Sequence, residues 1–147
     1  MATKNGPSLR SIGRQLNFAT GRMNALCQRL LEPHELSLPQ WVVLSCLWRE
    51  GDLTVGALAE RVGTGLPAMS RIVDRMVARD LVTRHRDATD RRATIVGLTE
   101  KGRALDHLRD FHERVNAVLL DGLSERERAA AFDLLTRMQD NAERALR

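Results

Sequence analysis

Arg71 and Arg75 stand one helical turn apart, and no other pair in this chain is better suited by type and spacing to selective chemistry. A guanidinium presents a rigid fork of donors. It can pair bidentately with guanine O6 and N7, where a good pair contributes roughly 1–3 kcal/mol of base discrimination, or it can bind phosphate. Both arginines lie between Gly63 and Asp80, where Met69, Ile72, Val73, Met76 and Val77 recur at the spacing of one α-helical face. The opposite face carries Pro67, Ser70, Arg71, Asp74 and Arg75. Gly63 and Gly65 break the chain before this helix, and Thr64 is placed to cap it. Pro67 suits a first turn, where N–H groups have no helical partner. A shorter helix from Thr54 to Val62 precedes it, with Val55, Leu58, Ala59 and Val62 on one stripe. Two short helices joined by a tight Gly-containing turn form the helix-turn-helix pattern. An ordinary helical hairpin with solvated arginines has the same pattern.

The 147 residues suit one domain, or one domain with a dimerisation element. Ten Lys or Arg residues between Arg61 and Arg103 stand against five acids, so the whole net charge of +4 is concentrated there. Such a block fits a nucleic-acid face. Catalysis finds little support. His107 and His112 are five apart, about 140° around a helix, so they do not share a face as i, i+4 metal ligands would. No Ser/His/Asp order, Gly-rich phosphate loop or Cys-X-X-Cys occurs, and no cofactor or metal is implied. Cys27 and Cys46 sit in apolar helical patterns and read as small buried hydrophobes. The N-terminus lacks the apolar stretch of a signal peptide, and no apolar run approaches the ~18 residues that span a bilayer. The expectation is a cytoplasmic protein with reduced thiols and no membrane partner.

Positioning the two arginines requires a frame. Residues 1–7 read as a loose polar arm. Leu9, Ile12, Leu16, Ala19, Met23, Leu26 and Leu30 then alternate steps of three and four, an a/d seam suited to a subunit contact. Ser37 to Gln40 reads as a capping box opening a helix with Trp41, Leu44, Leu47 and Trp48. Beyond Asp80 the period shortens: residues 81–86 and 93–98 read as strands around a polar turn at 87–92. A hairpin straight after a basic helix is a wing, which favours winged helix-turn-helix over a bare helical hairpin. Thr99 is expected to cap one long helix carrying Leu105, Leu108, Phe111, His112, Val115 and Leu119. Ser124 to Glu127 forms a second capping box, before a last helix with Ala131, Leu135, Met138, Ala142 and Ala145 on one face.

Taken together the chain resembles the MarR (multiple-antibiotic-resistance regulator) family of winged-helix transcription regulators, over nearly its whole length. The most specific stretch is Asp87-Ala88-Thr89-Asp90-Arg91-Arg92 followed by Val96-Gly97-Leu98-Thr99-Glu100-Lys101-Gly102. It is similar to the family's wing signature. Leu36-Ser37-Leu38-Pro39-Gln40-Trp41 resembles the start of the second helix, and Leu58-Ala59 with Ser70-Arg71-Ile72-Val73-Asp74 resembles the reading head. The resemblance implies a mainly α fold with a minor β part. In it, residues 36–98 form a winged helix-turn-helix, and residues 8–35 and 99–147 form dimerisation helices. It implies a symmetric homodimer on double-stranded DNA with a pseudo-palindromic operator. Typically such a protein is a repressor released by a small, often aromatic, effector.

The DNA face so implied comprises Thr64, Pro67, Ala68, Ser70, Arg71 and Arg75 with Arg84, Arg86, Asp90, Arg91 and Arg92 of the hairpin. Arg71 matches a base-reading position and Arg75 suits base or phosphate. Arg91 resembles the arginine that enters a narrow, negative minor groove. Asp90 is expected to orient Arg91, and Arg92 to pair with Asp74. Arg84, Arg86 and Lys101 are candidate phosphate contacts. Phe18, Arg22, Trp41 and Phe111 are candidates for an effector pocket, with Arg22 pairing an acidic ligand. Two other readings remain open. One is a winged-helix module for an acidic protein partner. The other is a thiol-based redox regulator, although the cysteine position of such members holds Ile12 and Gly13 here and the chain has no tyrosine.

Overall fold

The computed structural model describes residues 10–147; the expected arm at 1–7 and Leu9 of the first seam lie outside them. The chain divides into two compact units, one ending at Phe111 and the other His112–Arg147.

In the first unit, α1 (Ile12–Leu31) starts at Ser11, whose hydroxyl accepts the Arg14 N–H at 3.1 Å. Only the end of α1 is buried, at Cys27 and Leu31, while Ile12, Leu16 and Phe18 are exposed. A 3-10 turn (Glu32–His34) and Glu35, at φ 55°, reverse the chain into α2 (Leu38–Glu50). The expected capping box opens α2: the Gln40 N–H donates to the Ser37 hydroxyl at 3.3 Å, and the Ser37 N–H to the Gln40 side chain at 3.2 Å. Trp41, Val43, Leu44, Leu47 and Trp48 are all buried, so α2 is apolar almost all round and forms the centre of the core.

Strand β1 (Leu53–Thr54) leads into α3 (Val55–Val62), which Thr54 caps through the Ala57 N–H at 3.0 Å. Gly63 ends α3 at φ 72°, and the Thr64 N–H bonds back to the Ala59 carbonyl at 3.0 Å. That is a Schellman ending, in which Thr64 completes α3. Thr64 therefore does not cap the next helix, contrary to the expectation: α4 (Leu66–Ala78) starts from Gly65 without a side-chain cap. Pro67 does sit in the first turn.

β2 (Val82–Arg86) and β3 (Thr94–Leu98) form the hairpin, with Val82 opposite Leu98, Arg84 opposite Val96 and Arg86 opposite Thr94. β1 pairs with the other edge of β3, giving the order β1-β3-β2. The two-residue β1 is too short for any periodicity to reveal. Met69, Val73 and Met76 of α4 and Leu81, Val82 and Val96 of the hairpin join the buried core.

The expected long helix after Thr99 is broken. It becomes α5 (Glu100–Ala104), a 3-10 turn (Leu105–Leu108) and α6 (Phe111–Leu119). Both sides of the break carry an indole bond. The Trp48 Nε1–H donates to the Gly102 carbonyl at 3.0 Å and the Trp41 Nε1–H to the Leu108 carbonyl at 2.9 Å. A buried indole N–H needs a partner, and here it takes carbonyls that would otherwise serve the helix ladder alone. Phe111 stacks at a tilt on Trp41, ring centroids 5.1 Å apart. In the second unit, α7 (Glu125–Ala145) opens with the expected capping box of Ser124 and Glu127, and none of its residues is buried. Among the described residues no helix is long and apolar enough to cross a membrane.

Gly102 is required where α5 meets the end of α4, because a Cβ there would collide with the Leu81 carbonyl oxygen. Gly102→Ala is expected to destabilise the protein by about 2 kcal/mol or more, read as a lower urea midpoint; an unchanged midpoint would contradict this packing.

Candidate nucleic-acid interface

The outward face of α4 is positioned from three sides. Its inner face is set by Met69, Val73 and Met76. Its C-terminal end is held by Arg79, which donates to the Glu35 carbonyl and, at 3.1 Å, to Gln40 Oε1. The capping box of α2 thus also anchors the end of α4. Asp80 follows in the left-handed region at φ 58°, a conformation that Asp tolerates better than most residues. The start of α5 receives that turn: the Thr99 hydroxyl donates to the Asp80 carbonyl at 2.6 Å and accepts the Gly102 N–H at 3.1 Å. Lys101 Nζ donates to the Arg79 carbonyl at 3.1 Å. The Leu-Thr-Glu-Lys-Gly stretch is therefore the joint that seats α4, and Lys101 is engaged there rather than free for phosphate.

The third hold is Arg84. Residues 82, 84 and 86 share one face of β2, so Arg84 projects where the buried Val82 packs. Its guanidinium donates to Asp74 Oδ1 and, at 3.0 Å, to the Ser70 hydroxyl, two residues one turn apart on α4. The expected partner of Asp74 was Arg92. The structure assigns that role to Arg84, because the strand places it alongside α4 while Arg92 stands at the hairpin tip.

The tip is braced by its aspartates. Asp87 Oδ1 accepts from the Thr89 N–H and hydroxyl, each at 3.1 Å. Asp90 Oδ1 accepts the Arg92 N–H at 3.0 Å, and the Ala93 N–H donates to the Asp90 carbonyl at 3.0 Å. The expected Asp90–Arg91 ion pair does not form, since the Asp90 side chain closes an Asx turn instead. The guanidinium groups of Arg91 and Arg92 carry no internal hydrogen bond or ion pair among the described residues; those of Arg71, Arg75 and Arg86 are likewise free. Arg61, by contrast, is paired with Glu50 through two hydrogen bonds, one of 2.9 Å, which also hold its guanidinium protonated.

Of the residues expected at the interface, Pro67, Arg71 and Arg75 are exposed on α4 and Ala68 and Ser70 half-buried, while Thr64 closes α3. Arg86, Asp90, Arg91 and Arg92 are exposed on the hairpin. The clamping roles of Arg79 and Arg84 were hidden in the sequence, because each acts on an element distant along the chain. Leu66, exposed at the head of α4, was hidden by its apolar type.

The candidate effector residues do not gather into one cavity. Trp41 and Phe111 are committed to the core. Phe18 and Arg22 are exposed on α1, where the Arg14 guanidinium lies 5.3 Å from the Phe18 ring centroid. A cleft of about 1090 Å³ lies between the second half of α1 and the start of α2, beside Gln28, Arg29 and Gln40, and includes none of the four. Cys27 is buried and Cys46 half-buried; desolvation raises both thiol pKa values, and Glu50 adds to the rise at Cys46. Among the described residues no group of three or more metal-ligating side chains occurs.

A model of the MarR family matches residues 36–94. The transcriptional repressor NicR of Pseudomonas putida is 32% identical over 135 residues, 91% of this chain and 85% of NicR. The transcriptional regulator TtmR of Methylorubrum extorquens is 34% identical over 111 residues, 76% of this chain, and the match spans 56% of TtmR. Among solved structures, Bordetella bronchiseptica BpsR, whose DNA binding is regulated by 6-hydroxynicotinic acid, aligns with a TM-score of 0.81 at 30% identity, over 89% of this chain and 94% of that one.

Two outcomes are expected. Arg84→Ala leaves the Asp74 carboxylate uncompensated on the outward face, so affinity for any DNA duplex falls about tenfold; adding Asp74→Ala recovers most of the loss. A loss that the second substitution does not relieve would contradict this charge compensation and assign the loss to the missing clamp. Raised thiol pKa values leave less thiolate at pH 7, so both cysteines should react with iodoacetamide more slowly than free cysteine, accelerating as pH rises above 9.

Proposed function

The chain belongs to the MarR family of DNA-binding transcription regulators, and on that premise we propose that it is a homodimeric, sequence-specific repressor released from its operator by a small aromatic acid. Members of this family are transcription regulators rather than enzymes. The observation that carries the proposal is the set of unpaired guanidinium groups, Arg71 and Arg75 on α4 and Arg86, Arg91 and Arg92 on the wing. In each subunit α4 enters a major groove, where Arg71 reads a guanine. Arg91 enters the flanking minor groove, and Arg75, Arg86 and Arg92 bind phosphate, fixing register without reading sequence.

Dimerisation is supported by apolar surface that neither unit covers by itself. Ile12 and Leu16 of α1 are 60% and 38% exposed, and Phe132 of α7 is 57% exposed. A symmetric dimer places its two reading helices about 34–36 Å apart, one turn of DNA, and so requires a pseudo-palindrome. The protein works in the cytoplasm, where its DNA is.

The likeness to BpsR, whose DNA binding is regulated by 6-hydroxynicotinic acid, supports this effector class. Arg14, Phe18 and Arg22 succeed one another at one-turn spacing along α1, offering a ring face between two cations to an aromatic carboxylate. Such a ligand releases DNA only by binding the non-DNA-binding geometry more tightly.

The test is selection of genome fragments by the purified protein at moderate salt. One enriched pseudo-palindrome with half-sites a helical turn apart is expected. No enrichment, together with no binding to generic duplex DNA at low salt, would overturn the reading in favour of a protein-binding module. On the enriched site, Arg71→Ala should relax preference at one base pair per half-site by roughly 1–3 kcal/mol, whereas Arg91→Ala should cost affinity with little change in preference. Added 6-hydroxynicotinic acid should weaken binding; no effect at millimolar concentration would remove this effector class.

A further inference from the structure

Leu66 is out of place as a core residue. It is 58% exposed, while Met69, Val73 and Met76 of the same helix are fully buried. Within residues 36–98 the only other exposed large apolar side chain is Val77, at 39%. Leu66 is the first residue of α4, and it lines an open cleft with Gly56, Ser70, Arg84, Asp90 and Arg92, between the helix and the wing. Nothing from the hydrophobic core covers it. Even an alanine methyl in place of Gly56 would lie 3.9 Å from Leu66 Cδ2, so the glycine leaves this side of the leucine open.

In a helix-turn-helix protein the N-terminal residues of the second helix are the ones that reach base edges. An isobutyl group there has no hydrogen bond to offer. It gains only by covering apolar surface, and the apolar feature in the major groove is the 5-methyl group of thymine. We propose that Leu66, at the first position of α4, is a specificity-determining residue that reads a thymine methyl in the same half-site as the guanine read by Arg71. The inference rests on the DNA-binding reading above and adds a base to it. Ser70, whose hydroxyl is held by Arg84, is not free to swing toward the same base. The half-site is then read by one guanidinium and one aliphatic side chain, separated by five positions on a single helix.

Replacing thymine by deoxyuridine deletes the methyl group and leaves base pairing intact, so it isolates this contact. The operator retained in fragment selection is resynthesised with each thymine replaced in turn, and affinities are measured for the natural chain and Leu66→Ala. The natural chain should lose about threefold to fivefold at one thymine per half-site. Leu66→Ala should bind more weakly overall and be indifferent to the methyl at that same position. Because Leu66 is exposed, the variant should keep its helical signal and unfolding midpoint, which separates the effect from misfolding. Indifference of the natural chain at every thymine, or equal discrimination by Leu66→Ala, would overturn the inference while leaving DNA binding intact. A uniform loss by Leu66→Ala without methyl dependence would assign the side chain to deoxyribose packing and likewise overturn it. If neither chain binds any duplex, the DNA-binding reading itself fails, a result distinct from all of these.

Discussion

The bond from Arg84 to Asp74 and Ser70 makes α4 and the wing one rigid piece. A helix that reads bases and a hairpin that reaches the next groove must hold a fixed separation, since a misplacement of an ångström forfeits bidentate geometry. Hydrophobic contact fixes the inner face of α4 but leaves its outer edge free to tilt relative to the strands. One guanidinium shared between two residues a turn apart removes that freedom. It also neutralises Asp74, the one acid on α4, whose outward face has to attract phosphate.

The same logic governs the remaining acids of the basic block. Asp87 and Asp90 are spent on backbone N–H groups within the hairpin tip, and Asp80 makes the left-handed turn after α4. Glu100 lies in the first turn of α5, where the helix dipole favours a negative charge. None of the four is paired with the outward arginines. The block is thus divided: Arg61, Arg79, Arg84 and Lys101 hold the fold together, while Arg71, Arg75, Arg86, Arg91 and Arg92, with Arg103 on α5, have no side-chain partner among the described residues. A net charge cannot reveal such a division, because it weighs a paired guanidinium and a free one alike.

What the sequence made legible was local. Ser37 with Gln40, Ser124 with Glu127, and Thr99 all cap the helices they precede, because a cap is decided within four residues. The reading helix and hairpin were visible for the same reason, in runs of one period. What stayed hidden depended on a partner far along the chain. The break after Ala104 coincides with two tryptophans more than fifty residues upstream. Thr64 was missed for a local reason: α4 takes its N-cap one residue later, at Gly65. Asp74 took Arg84 over Arg92 because strand register, invisible to composition, set which arginine lay alongside α4. Leu66 drew no functional reading from the sequence because its type is apolar, and only burial distinguishes it from Met69.

The central claim is the division of the basic block, and salt dependence of duplex binding measures it most directly. Each arginine that binds a phosphate adds about 0.9 to the slope of log affinity against log salt. Arg75→Ala and Arg86→Ala should each reduce that slope by about this amount, and Arg61→Ala should leave it unchanged. A slope that falls equally for Arg61→Ala would mean that affinity follows total charge, and would contradict the division.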